Sequence, residues 1–325
     1  MKELNHKIES TMGSFYQDIA AILESKAWRR LPFKMQVFLA LGNNVHIRNR
    51  FAHTCEVVSL ATRIINALDL NISLGQAIAF GHDCGHTPYG HTGEEFISEM
   101  TEKKFRHERF AISLFQKIER KGKGLSLSPA VLKGILFHSR GNKTLNLSNS
   151  CPPEYLVVMF ADKISYIFAD INDSMRCLGM KESQFPNEVR LLGKNQRERV
   201  KNCERALVKE SIEQGFISFF NSDIAKKFEC IRQWMYLNVY EKIDHSSHKD
   251  DLSNAYQLLS TSCFKGCDPV IALALLTDQE VIEASSLFKK SQEPSLEDVK
   301  FWGVTEILPY ISKKREIDWW TPIEP

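Results

Sequence analysis

The 325-residue sequence predicts an all-α, mainly helical protein. Apolar residues recur three and four apart through long stretches, and convincing alternation of period two is hard to find. Glycine-, proline- and serine-bearing clusters separate those stretches. The first clear helix, over 51–68, sets His53, Val57, Ala61, Ile64 and Leu68 on one stripe and so turns His53 into a core. A second, over 74–83, stops where Gly85, Pro88 and Gly90 interrupt the pattern. A third starts at Thr92, whose spacing to Glu95 is that of a capping box. Polar segments near 121–128 and 139–150 read as loops on either side of the short apolar run 131–137. A long helix follows over about 154–175, and the lysine- and arginine-rich stretch 181–209 then separates this part from a C-terminal helical part, in which 245–254 reads as a loop. The chain thus divides into a core, 1–180, and a helical extension, 181–325, packed on it as one continuous body.

Composition narrows the function. An apolar fraction of 43% and a charged fraction of 25% describe an ordinary globular chain and exclude a disordered or fibrous one. A net charge of +2 gives no field that calls for nucleic acid, so any anion must be small and bound by cations that folding brings together. No run of eighteen apolar residues and no N-terminal apolar segment is present, so neither a membrane nor export is expected, and the cytoplasm is the expected location. The eight scattered cysteines are then free thiols; only Cys263 and Cys267 lie close enough to suggest zinc, without a second pair or a nearby histidine.

The chemistry is concentrated in histidines. Five of the ten, His53, His82, His86, His91 and His107, lie between residues 53 and 107, and two of them directly precede an acid. Imidazole and carboxylate together suit a divalent ion such as Mn, Fe, Zn or Mg, with His53, His82, Asp83 and one distant aspartate as a mixed nitrogen and oxygen set. Asp162, set among Val157, Val158, Met159, Phe160 and Ala161, is that aspartate, because an ionised carboxylate in apolar surroundings calls for a partner. Tyr166, Asp170 and Asp173 extend its face of the helix.

These residues carry a resemblance. His53, the His82-Asp83 pair and Asp162 resemble the signature of the HD superfamily of metal-dependent phosphohydrolases. The flanks are more specific: 26–38, 48–53 and above all Gly81-His-Asp-Cys-Gly-His-Thr-Pro-Tyr-Gly-His-Thr-Gly-Glu94 resemble bacterial deoxyguanosine-triphosphate triphosphohydrolases. The segment 153–170 is similar to the fourth-ligand helix of those enzymes and of the animal dNTP triphosphohydrolases with a SAM domain. The resemblance covers about 25–175 and implies an HD-domain helical core. It implies His53, His82, Asp83 and Asp162 as metal ligands, and His91 with Glu94 as the proton-transfer pair. It places His86 and His107 beside the phosphates, Arg50 and Lys163 as phosphate grips, and Gln36, Val37, Tyr166 and Asp170 around sugar and base.

The reaction implied is hydrolysis of a deoxynucleoside triphosphate to deoxynucleoside and inorganic triphosphate, by a homo-oligomer of tetrameric or hexameric kind in which a nucleotide can act allosterically. The sequence departs from the family at Cys84 (usually leucine), Met35 (commonly threonine) and Leu156 (commonly glutamine). The segment 275–280 lacks the substrate-contacting tyrosine of the family motif it faintly resembles. Other HD chemistries, nucleoside-monophosphate phosphatase or cyclic-nucleotide phosphodiesterase, share the ligands, and a silent nucleotide sensor shares the fold.

Overall fold

A computed structural model describes residues 15–38, 44–139, 151–261, 264, 266–291, 295–315 and 317–320. Among them helices dominate and no strand forms, only isolated bridges between Met35 and Asn49 and between Cys267 and Ser312. The all-α expectation holds. Helix α1 (Tyr16–Glu24) leads through the short α2 (Lys26–Arg30) into the loop bearing Gln36 and Val37. Helix α3 (Arg50–Ala67) begins at Asn49, whose side chain accepts the Ala52 N–H at 2.9 Å, and buries His53, Val57, Ala61 and Ile64. That is the stripe the periodicity predicts, except that Leu68 is the half-buried C-cap.

Helix α4 (Ile72–Gly81) is followed by a compact turn in which Tyr89 and Gly90 both take left-handed φ values, 55° and 56°. Helix α5 (His91–Thr101) starts there, and the expected capping box is absent. Gly90 is the N-cap, and the candidate cap residues turn outward: Thr92 Oγ1 meets His245 Nδ1 at 3.0 Å, and Glu95 pairs with Lys249 at 3.2 Å. Tertiary partners have taken the side chains that local spacing assigns to a cap.

Helices α6 (His107–Ser113) and α7 (Pro129–Phe137) pack together, and α7 occupies the apolar run 131–137. Helix α8 (Pro153–Cys177) lies at the centre against α3 and α4, buried on almost every side, as an all-round apolar helix must be. The polar region after it is helical: α9 (Asn187–Leu192) and α10 (Gln196–Gln214), the latter packed on α8. Helix α11 (Asp223–Asn238) continues the extension.

The expected loop at 245–254 is instead most of helix α12 (Ser246–Leu259). Its polar start hides an apolar face of Leu252, Ala255, Leu258 and Leu259 that buries against α14 (Asp278–Lys290), with α13 (Pro269–Leu275) between them in sequence. Trp302 and Trp319 are buried packing residues. The described cysteines are free, while Cys263, the N-terminal residues 1–14 and most of the expected loop 139–150 lie outside the described residues. No described helix is long and apolar enough to cross a membrane.

Candidate active site

Helices α3, α4 and α8 converge on one point. His82, the C-cap of α4, holds its Nδ1 2.7 Å from the Ala79 carbonyl, so the ring proton sits there and the Nε2 lone pair faces inward. That Nε2 is buried without a hydrogen-bond partner, 3.4 Å from Asp83 Oδ1 and 3.9 Å from Asp162 Oδ1. From α3, His53 Nε2 lies 3.0 Å from Asp162 Oδ1 and 3.9 Å from Asp83 Oδ2. Ligands about 2.1 Å from a shared ion stand roughly 3.0–3.4 Å apart at neighbouring positions, so this donor set fits a divalent cation with little adjustment.

Both acids of the set are held ionised, while the same charges favour on His53 a proton that a bound ion would displace. Burial alone would depress His53 and raise both aspartates. The hydrogen bond to Asp162 and the charge of Asp83 lift His53 above its usual value instead. His53 in turn holds Asp162 down, and His82, Arg50 and His86 hold Asp83 well below the carboxylate range.

Beside this set stands a second cluster around Glu94. Its Oε1 is 2.9 Å from His86 Nδ1, 2.9 Å from His107 Nδ1 and 3.4 Å from His91 Nδ1. The expected His91–Glu94 pair is present, but Glu94 leans towards the two buried histidines, while the His91 side chain is 78% exposed. His86 and His107 stack at 3.6 Å, and their electrostatics diverge. Burial, with Arg50 and His107 nearby, pushes His86 down to about 3 and leaves it neutral. Burial also opposes charge on His107, but Glu94 and Glu108 outweigh it and hold His107 up to about 9. Burial would raise Glu94; His107 and His91 keep it well below its ordinary value.

Both clusters border a cavity of about 440 Å³. Gln36, Val37, Arg50, Asp83, His86, His91, His107, Asp162, Lys163, Tyr166 and Asp170 line it, and His53, His82 and Glu94 lie behind that wall. Every site residue expected from the sequence therefore falls in or beside one cavity.

The HD domain model matches residues 50–167. Proteins described as "deoxyguanosinetriphosphate triphosphohydrolase-like" are similar over 70% of the chain: 37% identical in Clostridium perfringens (67% of that protein), 34% in Clostridium tetani (66%) and 37% in Caldanaerobacter subterraneus (65%). The chain belongs to this triphosphohydrolase-like family. The similarity spans about two thirds of the length of those relatives.

Several residues at the cavity escaped the sequence reading. His138, at the end of α7, has Nδ1 2.6 Å from the Ile135 carbonyl and Nε2 3.2 Å from His107 Nε2. Together with Asp83 and His107 it forms a further group whose ligand atoms lie within 4.8 Å of one another. No acid or repeat spacing marks it; the i−3 carbonyl contact it shares with His82 is visible only in three dimensions.

The extension supplies Tyr236, Tyr240, Ile243 and His245 to the cavity. Two of these are tyrosines, which line the cavity from α11 and the turn after it. Tyr240 donates to Asp170 Oδ2 at 2.8 Å, and the Tyr166 and Tyr236 hydroxyls meet at 3.3 Å. Burial pushes Asp170 up to about 7 against that Tyr240 bond. Asp170 Oδ1 and Gln36 Oε1 are buried acceptors without a partner. Asp173, the last member of the expected stripe, instead pairs with Arg48 at 3.4 Å and Arg176 at 2.7 Å. Cys84 is buried and its thiol is pushed up by that burial, which removes it from redox chemistry at neutral pH.

The two clusters meet because Gly85 lets α6 approach the His82–Asp83 turn. A Cβ at Gly85 would stand 2.1 Å from the His107 carbonyl oxygen and 2.5 Å from the Ala111 nitrogen, backbone atoms that yield only if α6 moves. Gly85→Ala is expected to destabilise the protein by about 1–3 kcal/mol. The expected result is a lower Tm together with reduced activity, because His107 travels with α6; an unchanged Tm contradicts the packing.

Proposed function

We propose that the protein is a metal-dependent dNTP triphosphohydrolase, which releases a deoxynucleoside and inorganic triphosphate. The observation that carries this reading is a buried His53, His82, Asp83 and Asp162 donor set beside the Glu94 histidine cluster, both facing one cavity of nucleotide size. A divalent ion held by those four residues supplies Lewis acidity to the phosphate and its attacking water.

The chain's own groups do the rest. Arg50 donates from Nη1 to Asp83 at 2.9 Å and from Nη2 to the Gln36 carbonyl at 3.3 Å, and Lys163 lines the same wall buried. The two place fixed positive charge against the phosphate oxygens, where it counts most in a site that excludes water. His107, kept charged by Glu94, adds positive charge at the same end. His91 reaches the solvent-facing side, hands its proton to the departing 5′-oxygen and is oriented by Glu94.

At the other end Tyr166 offers its ring to the deoxyribose, and contact at C2′ leaves no room for a 2′-hydroxyl. The unpartnered oxygen of Asp170 or that of Gln36 accepts from the 3′-hydroxyl, and Val37 packs beside the base.

Incubation of each of the four dNTPs with Mn or Mg, resolved by chromatography, tests this. Deoxynucleoside and triphosphate are expected, with turnover abolished by chelator and restored by the ion. Pyrophosphate, a released monophosphate product, or a metal-loaded protein without turnover overturns the reading. Mixed nucleotides in the same assay read whether one dNTP stimulates hydrolysis of another.

A further inference from the structure

Asp278 opens α14, far along the chain from the cavity residues of the core, yet its carboxylate does not serve its own helix. Thr277 and Glu280 already cap α14 reciprocally, with Glu280 N–H donating to Thr277 Oγ1 at 3.2 Å and Thr277 N–H to Glu280 Oε2 at 2.7 Å. Asp278 turns instead into the core, where only 7% of it remains exposed. Its Oδ2 accepts the Met35 N–H at 2.6 Å, and its Oδ1 accepts the Tyr89 N–H at 2.9 Å.

Those amides belong to separate loops, both of which reach the cavity. Met35 precedes Gln36 and Val37, which line the cavity where sugar and base are read. Tyr89 precedes Gly90 and His91, on the side of proton transfer. The second loop needs holding, because Tyr89 sits at φ 55°, a region that a residue with a Cβ adopts only when its surroundings enforce it. The stacking of Tyr89 on His248 at 4.5 Å, the Thr87 hydroxyl bond to the Gly90 carbonyl at 2.7 Å and the turn's own backbone bonds add restraint there. Burial pushes Asp278 above the ordinary aspartate value, opposed by the Tyr89 and Met35 amides and by the charges of Lys34 and Arg50. Lys34 Nζ also donates to the Ala274 carbonyl at 3.1 Å and to the His86 carbonyl, so it fastens the extension to the histidine turn at a neighbouring point.

We propose that Asp278 is a positioning residue for the reaction: its two oxygens staple the loop of Gln36 to the turn of His91 and so set the span between nucleoside recognition and proton transfer. The proposal rests on the hydrolase reading for the identity of the reaction, but the staple itself is independent of it. A displacement of about 1 Å in such groups lowers rates roughly a hundredfold.

The test compares wild type, Asp278→Asn, Gln36→Ala and the double variant, with the best dNTP of the panel and with metal content and folded circular dichroism as controls. Asp278→Asn leaves one carbonyl oxygen for two N–H donors. It is expected to lower kcat/KM about tenfold to a hundredfold at unchanged metal content. Gln36→Ala is then expected to lose less activity in the Asp278→Asn background than in wild type, since a Gln36 already out of place has less to lose. A general loss of stability would leave the two effects independent.

Wild-type kinetics in Asp278→Asn, or an undiminished Gln36→Ala effect, overturns the proposal. Should Asp278→Asn not fold, Asp278→Glu retains charge and both acceptors one methylene further out, and the same loss of kcat/KM is expected from the widened span; unchanged kinetics overturns the staple. Should wild type turn over no dNTP, the hydrolase reading fails by itself. Amide hydrogen exchange then decides on the staple: faster exchange in the segments around Met35 and Tyr89 of the variant supports it, and unaltered exchange overturns it.

Discussion

Asp83→Asn is expected to eliminate hydrolysis by roughly a thousandfold, the equivalent of about 4 kcal/mol of transition-state stabilisation, and to empty the protein of divalent ion. Asp83 is the most heavily engaged acid of the cluster. Its Oδ2 takes a hydrogen bond from Arg50 at 2.9 Å and stands 3.9 Å from His53, while Oδ1 is 3.4 Å from His82 and 3.2 Å from His86. The amide keeps the volume and removes the charge, so a proposed ligand is lost and the buried Arg50 guanidinium is left without its counter-ion. Breaking a buried pair from one side costs about 3–5 kcal/mol, so Tm falls as well.

The sign of the pH dependence follows from the depressed carboxyl. Burial would raise it, but His82 and Arg50 prevail, so its stabilising contribution is complete above the ordinary aspartate value and disappears as pH falls through the lower, folded one. Wild type and Asp83→Asn therefore converge in Tm on strong acidification. Elemental analysis, a dNTP assay and melting curves read all three effects. A variant that retains its ion and its rate refutes the assignment.

Glu94→Gln is expected to lower kcat about a hundredfold to a thousandfold and to leave KM nearly unchanged. One oxygen of Glu94 faces three imidazoles, and its charge is the largest of those that keep His107 protonated. Burial of His107 alone would favour the neutral ring; Glu94 and Glu108 keep it charged up to about 9. Without Glu94, burial is opposed by less charge and the His107 imidazole loses its proton at lower pH.

The wild-type advantage has two edges. The raised His107 contributes fully below its unfolded value, near 6.5, and is lost as pH climbs through about 9. The depressed Glu94 contributes fully above its unfolded value, near 4.3, and is lost as pH drops through its folded one. The Tm gap between wild type and Glu94→Gln is thus widest at roughly pH 5–6 and closes towards pH 9 and above. A gap that ignores pH, or a kcat equal to wild type, counts against the coupling.

The sequence was informative where chemistry is local. His53 on the buried stripe of α3, the His82-Asp83 turn and Asp162 inside the apolar run of α8 each carry their own signal, and the fold brings them within 3.0–3.9 Å. Burial of His107 was less evident, because Phe105-Arg-His-Glu108 gives no periodic cue. What depends on distant partners stayed hidden. The Thr92–Glu95 spacing mimics a cap, but His245 and Lys249 claim both side chains. The polar start of α12 reads as a loop, since the apolar face that folds it becomes visible only against α14. Tyr236 and Tyr240 lack any motif of their own, Asp278 lies in a segment of only faint resemblance, and the partners of all three come from residues far earlier in the chain.

The staple between Asp278 and Met35 joins positions 243 residues apart. Contacts of such separation close late, after shorter-range packing has formed. A nascent polypeptide can gather all of its cation donors once Asp162 has emerged from the ribosome. The loop of Gln36 is fastened only when translation has passed Asp278, so the cavity takes its final shape after the proposed cation donors have already come together.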